Sequence, residues 1–170
     1  MTMLTEAITL TLFPGMMAFA AWSDLFTMTI ANRISLILVG GFVLLALMTG
    51  MSANHALLHV GAGALVLVAG FALFSFGWIG GGDAKLAAAT ALWFGFNHLF
   101  DYLIYSSILG GALTLLLIQF RMFPLPQVLV GRDWIERLHR RGGGIPYGIA
   151  LAAAALLVYP HTEWMTKLGI

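Results

Sequence analysis

Two stretches of this chain place carboxylates where an apolar sequence has least use for them: Asp24 in "AWSDLFTMTIANRISL" (21–36) and Asp83 in "WIGGGDAKLAAAT" (78–90). Two carboxylates that share a site repel when both are ionised, so such a pair holds one proton between them. The pair can hydrolyse a peptide with no metal and no covalent intermediate. The ionised member takes a proton from an attacking water; the protonated member donates to the carbonyl oxygen and then helps the amine leave. Gly80, Gly81 and Gly82 suit this chemistry, because backbone without Cβ atoms can take unusual φ/ψ values and approach an extended substrate closely. Irregular backbone at membrane depth is tolerated only where it is buried or lines a watery cavity. Taken singly, each residue has a structural alternative. Asp83 can cap the helix that follows it while Lys85 extends toward the headgroups, Asp24 can close the first helix at the interface, and Asn32 can cap the second.

The elements that must position these residues follow from composition. The 170 residues are 61% hydrophobic and 9% charged, with mean hydropathy +0.96, against about 25% charged in soluble domains. That excludes a water-soluble domain and points to an all-α, polytopic membrane protein. The absence of cysteine excludes disulfides, a thiol nucleophile and cysteine-ligated metal. The amino terminus "MTMLTEAITLTLF" lacks a basic n-region, so the first apolar run is expected to persist as a span. Six stretches approach spanning length: roughly Leu4–Trp22, Ile34–Met51, Ala56–Phe76, Lys85–Phe96, Leu99–Phe120 and Ile145–Tyr159. They make one transmembrane domain over 1–170, with a polar connection at about 121–143 in which "RDWIERLHRR" reads as a short amphipathic surface helix. With six crossings, Arg33, Lys85, Arg121, Arg132, Arg137, Arg140 and Arg141 share one side and Lys167 stands on the other. The positive-inside rule makes the first side cytoplasmic. Two crossings separate Asp24 from Asp83, so both aspartates belong to that face.

Three motifs carry a family resemblance. "GGGDAK" resembles the GxGD signature of intramembrane aspartyl proteases, with Gly80, Gly82 and Asp83 on the defining positions, and its GGGDxK form resembles the type IV prepilin leader peptidases. "DLFTMTIAN" is similar to their first aspartate motif: Asp24, Ile30 and Asn32 match, while Ala31 stands where proline is usual. "IPYGIA" (145–150) is similar to the Pro-Tyr-Gly segment of the short members, here Pro146, Tyr147 and Gly148. The resemblance implies that Asp24 and Asp83 are the catalytic pair of an aspartic endopeptidase in a bacterial inner membrane, acting toward the cytoplasm on a prepilin or pseudopilin. It implies the short, peptidase-only branch associated with Flp-type tight-adherence pili. The larger members carry a cytoplasmic segment with zinc-binding cysteines and also methylate the new amino terminus; this chain has neither segment nor cysteines. No metal, cofactor or nucleic-acid partner is expected; the bilayer is. Lys85 matches the family lysine, either favouring ionisation of a nearby carboxylate or extending toward the headgroups.

The competing reading is a small proton- or cation-coupled transporter with the two aspartates as ion sites and "GWIGGG" as a broken-helix hinge. A structural membrane subunit with capped helices is a third. The transporter reading lacks the repeat symmetry expected of such folds. Other residues receive plainer roles. His55 and His59 have a spacing that two metal ligands on one helix face could use, but no third ligand accompanies them, so a loop and helix-start role is preferred. Asp101 reads as interfacial, and the basic segment 132–141 as a contact for anionic lipid. Trp22, Trp78, Trp134 and Trp164 read as interfacial anchors, and Gly61, Gly63, Gly110 and Gly111 as close helix packing.

Overall fold

A computed structural model describes residues 3–166. Its principal elements are the helices α1 (Met3–Thr27), α2 (Asn32–Met48), α3 (Ala53–Ser75), α4 (Gly81–Met122), α5 (Asp133–His139), α6 (Tyr147–Val158) and α7 (Glu163–Thr166). Lys167, the one cation expected on the far side, lies outside the described residues. Long apolar runs become helices because a backbone in lipid must satisfy its N–H and C=O groups within the segment. They stop where left-handed backbone is cheap. Gly50 (φ 63°) and Gly77 (φ 74°) end α2 and α3, and the next residues close the turns with Met51 N–H to Ala46 O (2.9 Å) and Trp78 N–H to Leu73 O (3.0 Å).

Three helices, α1, α3 and α4, are long and apolar enough to cross a membrane, and α2 is shorter and apolar. The 42-residue α4 holds both the fourth and the fifth expected spans. A straight helix would separate residues 83 and 106 by about 35 Å, yet Asp83 and Ser106 line one cavity, as do Ala87 and Leu103. The chain therefore reverses between them, at Gly95, whose φ 59° and ψ −172° lie outside any helix. The result is an antiparallel hairpin of 81–94 and 96–122. Its first arm packs among α1, α2, α3 and α6, and with the second arm and α6 it brings six apolar helical segments together, as expected.

Interior and exterior differ in kind. The inward stripe of α1 is Thr5, Thr9, Phe13, Met17, Ala20 and Asp24, steps of three and four that hold one helix face. Trp93 is the centre of the core: it lies 5.0 Å from Phe13 and 5.5 Å from Trp164 between ring centroids, and its Nε1–H donates to Leu38 O at 2.8 Å. Large side chains such as Leu36, Leu47, Val68, Phe71 and Leu115 face outward, which suits lipid and would be an untenable apolar surface in water. Close approach between spans comes from small residues. A Cβ on Gly63 would stand 3.1 Å from Leu92 Cβ, and one on Gly70 3.0 Å from Ala84 Cβ. Gly61 and Gly110 also serve packing, against Phe96 and Tyr147, whereas Gly111 has open space. Trp22 and Trp78 are exposed as interfacial anchors should be, but Trp164 is fully buried and donates to Trp93 O at 2.7 Å. Its indole serves a carbonyl near the end of the first hairpin arm, where a stopping helix leaves acceptors without intrahelical partners.

The hairpin turn generates the first prediction. Gly95→Ala puts a Cβ into backbone that is nearly exclusive to glycine, about 1–3 kcal/mol of strain, and 3.1 Å from the His59 ring. The variant in detergent should unfold at a lower temperature than the parent, while Gly111→Ala should not; equal midpoints for Gly95→Ala and parent would contradict the reversal.

Candidate active site

Asp24 occupies the last turn of α1, on the buried stripe, and is 5% exposed. A carboxylate there needs donors, and the start of α6 supplies one: Gly148 N–H donates to Asp24 Oδ2 at 2.7 Å. The first N–H groups of a helix have no intrahelical acceptor, so the two needs cancel. Asp83 sits in the first turn of α4, half-buried, and its Oδ2 accepts from Gly80 N–H at 3.2 Å. The capping reading of Asp83 is thus correct as geometry, and it leaves the other carboxylate oxygen uncommitted. Ile30 packs against Gly82, the neighbour of Asp83, and against Gly148, whose N–H holds Asp24, so the bundle has brought the two aspartates together at one end.

Ile30 is the wedge that sets their spacing. A Cβ on Gly82 would stand 3.1 Å from Ile30 Cβ, and one on Gly148 would stand 2.6 Å from Ile30 Cδ1 and 2.8 Å from Asp24 Oδ2. The α1–α2 turn, the start of α4 and the start of α6 therefore meet on one isoleucine, and glycine alone allows the approach. The glycine run works by proximity and not by unusual dihedrals. Gly80 is extended (φ −74°, ψ 146°), Gly81 and Gly82 already belong to α4, and none of the three has positive φ. A Cβ on Gly80 would lie 2.7 Å from Asp83 Oδ2, in the space the carboxylate uses to turn back. Gly81 sits against Phe74.

The remaining motif residues assemble at the same end. Lys85 Nζ donates to Asn32 Oδ1 at 2.9 Å, so the lysine is engaged with the other motif. The residue ahead of α2 is Ala31, with no side-chain cap, so the alternative reading of Asn32 as the cap of the second helix is not met. Pro146 is buried at the start of α6. Tyr147 enters a cavity of about 220 Å³ together with Ile79, Asp83, Ala87, Leu103, Ser106, Ser107 and Leu151, and Gly110 leaves the room its ring occupies. Arg121 ties the loop down through Leu138 O (2.7 Å), Gly143 O (3.0 Å) and Gly144 O (2.7 Å), and Arg137 donates to Phe26 O at 2.9 Å. The short helix in "RDWIERLHRR" forms as α5, and at least one of its cations serves the fold.

Sequence reasoning passed over Ser106, Ser107 and Tyr102. The serines line the cavity beside Asp83, with Ser107 Oγ donating back to Leu103 O at 2.7 Å. Tyr102, fully buried, lies within electrostatic reach of Asp83 and beside Thr90. Its hydroxyl has no hydrogen-bond partner among the described residues; the Thr90 hydroxyl donates to Leu86 O at 2.9 Å. Polar residues recurring every three or four positions in an otherwise apolar arm (Tyr102, Ser106) were the available signal. Asp101 is exposed, next to His98 at 3.9 Å, and belongs to the other end.

The fold and the site are those of a polytopic helical membrane protein with two aspartates at one end of its bundle, beside a small cavity. The sequence profile of the type IV leader peptidase family matches residues 11–115, a segment that includes both aspartates. The chain belongs to that family and is a membrane peptidase of the aspartic, prepilin-cleaving type. Comparison with curated proteins and with solved structures returns no match.

The junction predicts a graded effect of added methyl groups. Gly148→Ala must displace Asp24 or Ile30; a misplacement of about 1 Å costs on the order of 100-fold in rate. Leader removal by Gly148→Ala should fall by that order at unchanged membrane levels, while Gly111→Ala cleaves like the parent. Parental rates for Gly148→Ala would show that the contact does not set the geometry.

Proposed function

We propose that the chain is the endopeptidase that removes the leader from Flp-type prepilins at the cytoplasmic face of a bacterial inner membrane, with Asp24 and Asp83 as the catalytic residues. The observation that carries this reading is the meeting of the two aspartates at one end of the bundle, around Ile30, each with one oxygen held by a backbone N–H. Fixed acceptors leave the second oxygen of each carboxylate for the reaction. A water between them loses its proton to the ionised aspartate and attacks the scissile carbonyl. The protonated aspartate donates to the carbonyl oxygen, and the proton held by the first then passes to the departing nitrogen.

Orientation is supported by charge. The aspartate end carries Lys85, Arg121 and Arg137 in the contacts described above, together with Arg33 beside Asn32, and cations are enriched on cytoplasmic faces. The substrate's extended junction would lie across the cavity edged by Ile79, Tyr147 and Ser106, next to the glycine run. The lack of cysteine and the short connection between α4 and α6 fit the peptidase-only branch, so cleavage without N-methylation is the proposed activity.

Co-expression with candidate Flp-type prepilins, followed by gel shift, tests the assignment. Asp24→Asn keeps a carbonyl oxygen for Gly148 N–H, and Asp83→Asn keeps one for Gly80, so both should accumulate normally in the membrane. Each should lose general acid–base catalysis, about 10²–10⁴-fold or more. Normal leader removal by either variant refutes the pair.

A further inference from the structure

The end of the bundle farthest from the aspartates holds a second cluster of functional groups. His55 and His59, one turn apart near the start of α3, both aim Nε2 at a single atom, Glu163 Oε1, at 2.8 and 3.1 Å. The glutamate comes from α7, 104 residues after His59, and is the third ligand that spacing on α3 alone did not supply. One nitrogen or oxygen from each residue lies within 4.8 Å of the others.

We propose that His55, His59 and Glu163 bind a divalent transition metal, with Zn²⁺ the ion that the donor set fits best. Two imidazoles and a carboxylate are a recurrent zinc set, and bonds of about 2.0–2.2 Å in a tetrahedron put neighbouring ligand atoms roughly 3.4 Å apart. The observed separations of 2.8 and 3.1 Å need only a small opening to admit the ion. Orientation of His59 adds an independent argument. Its Nδ1 lies 2.8 Å from Leu92 O, and since a carbonyl can only accept, Nδ1 carries the proton. With Nδ1 committed to that carbonyl, Nε2 is the ring atom that faces Glu163, and it is the atom that would ligate the ion. A backbone carbonyl fixing the tautomer of a ligating histidine is the usual outer-shell arrangement at metal sites. His59 is 2% exposed, whereas His55 (38%) and Glu163 (25%) leave an approach for the ion and for a water in the fourth position. The metal would clasp α7 to α3 at the tip of the α4 hairpin, where Leu92 and Gly95 touch the His59 ring. This site is independent of the peptidase reading.

The test uses the full chain, purified without a histidine tag, in detergent. After chelator treatment it is incubated with Zn²⁺, desalted and assayed for bound metal by mass spectrometry; a parallel sample receives Co²⁺. Parent and Asp24→Asn should each retain about one zinc per chain and show the visible bands of tetrahedral cobalt. His55→Gln and Glu163→Gln, changes at partly exposed positions, should retain at least about 10-fold less, and zinc should raise the unfolding temperature of the parent but not theirs. Parent protein that retains no more zinc than these variants, or lacks the cobalt bands, overturns the proposal and leaves a protonated histidine–glutamate pair.

Discussion

The bond from Gly148 N–H to Asp24 Oδ2 is the constraint on which the candidate site depends. It joins the end of α1 to the beginning of α6 across 124 residues and gives a buried carboxylate the donor that burial demands. It also fixes where Ile30 can stand, because Ile30 packs against both Gly148 and Gly82. Once Ile30 is seated, the start of α4 has one position, and Asp83 arrives beside Asp24. The three family motifs are therefore one physical object: two acids, the wedge that spaces them and the glycines that let the wedge in.

The second organising feature is the reversal at Gly95. It folds 42 residues into two arms, which brings Ser106 and Tyr102 alongside Asp83 at one end and leaves a helix terminus at the other. Carbonyls near that terminus find partners from elsewhere in the chain: His59 takes Leu92 O and Trp164 takes Trp93 O. The hairpin thus connects the two ends of the molecule. Its lower part contributes to the acid pair, and its tip organises the histidine–glutamate cluster.

Much of this was legible beforehand because it depends on local properties. The apolar runs, the uneven placement of cations and the even number of crossings between Asp24 and Asp83 are readable one segment at a time. Even the inward aim of Asp24 could be read, since it continues the periodicity of Phe13, Met17 and Ala20. The glycine run was recognised as needed, but for backbone freedom, whereas the space it leaves is filled by Ile30 and by the Asp83 carboxylate. That difference concerns neighbours that local periodicity does not name. Trp164 was misread for the same reason: composition places an indole near an interface, and only packing shows that its N–H completes a buried helix end.

By itself the sequence determined the membrane class, the helical segments, the two acids and their common side, because lipid imposes hydrogen-bonding and length rules on each span separately. Tertiary structure alone decided what each acid touches, that Lys85 is committed to Asn32, that α4 turns back at Gly95, and that Glu163 meets His55 and His59. Those outcomes depend on contacts between residues as far as 124 positions apart, and a distance of that kind is set by how whole helices pack.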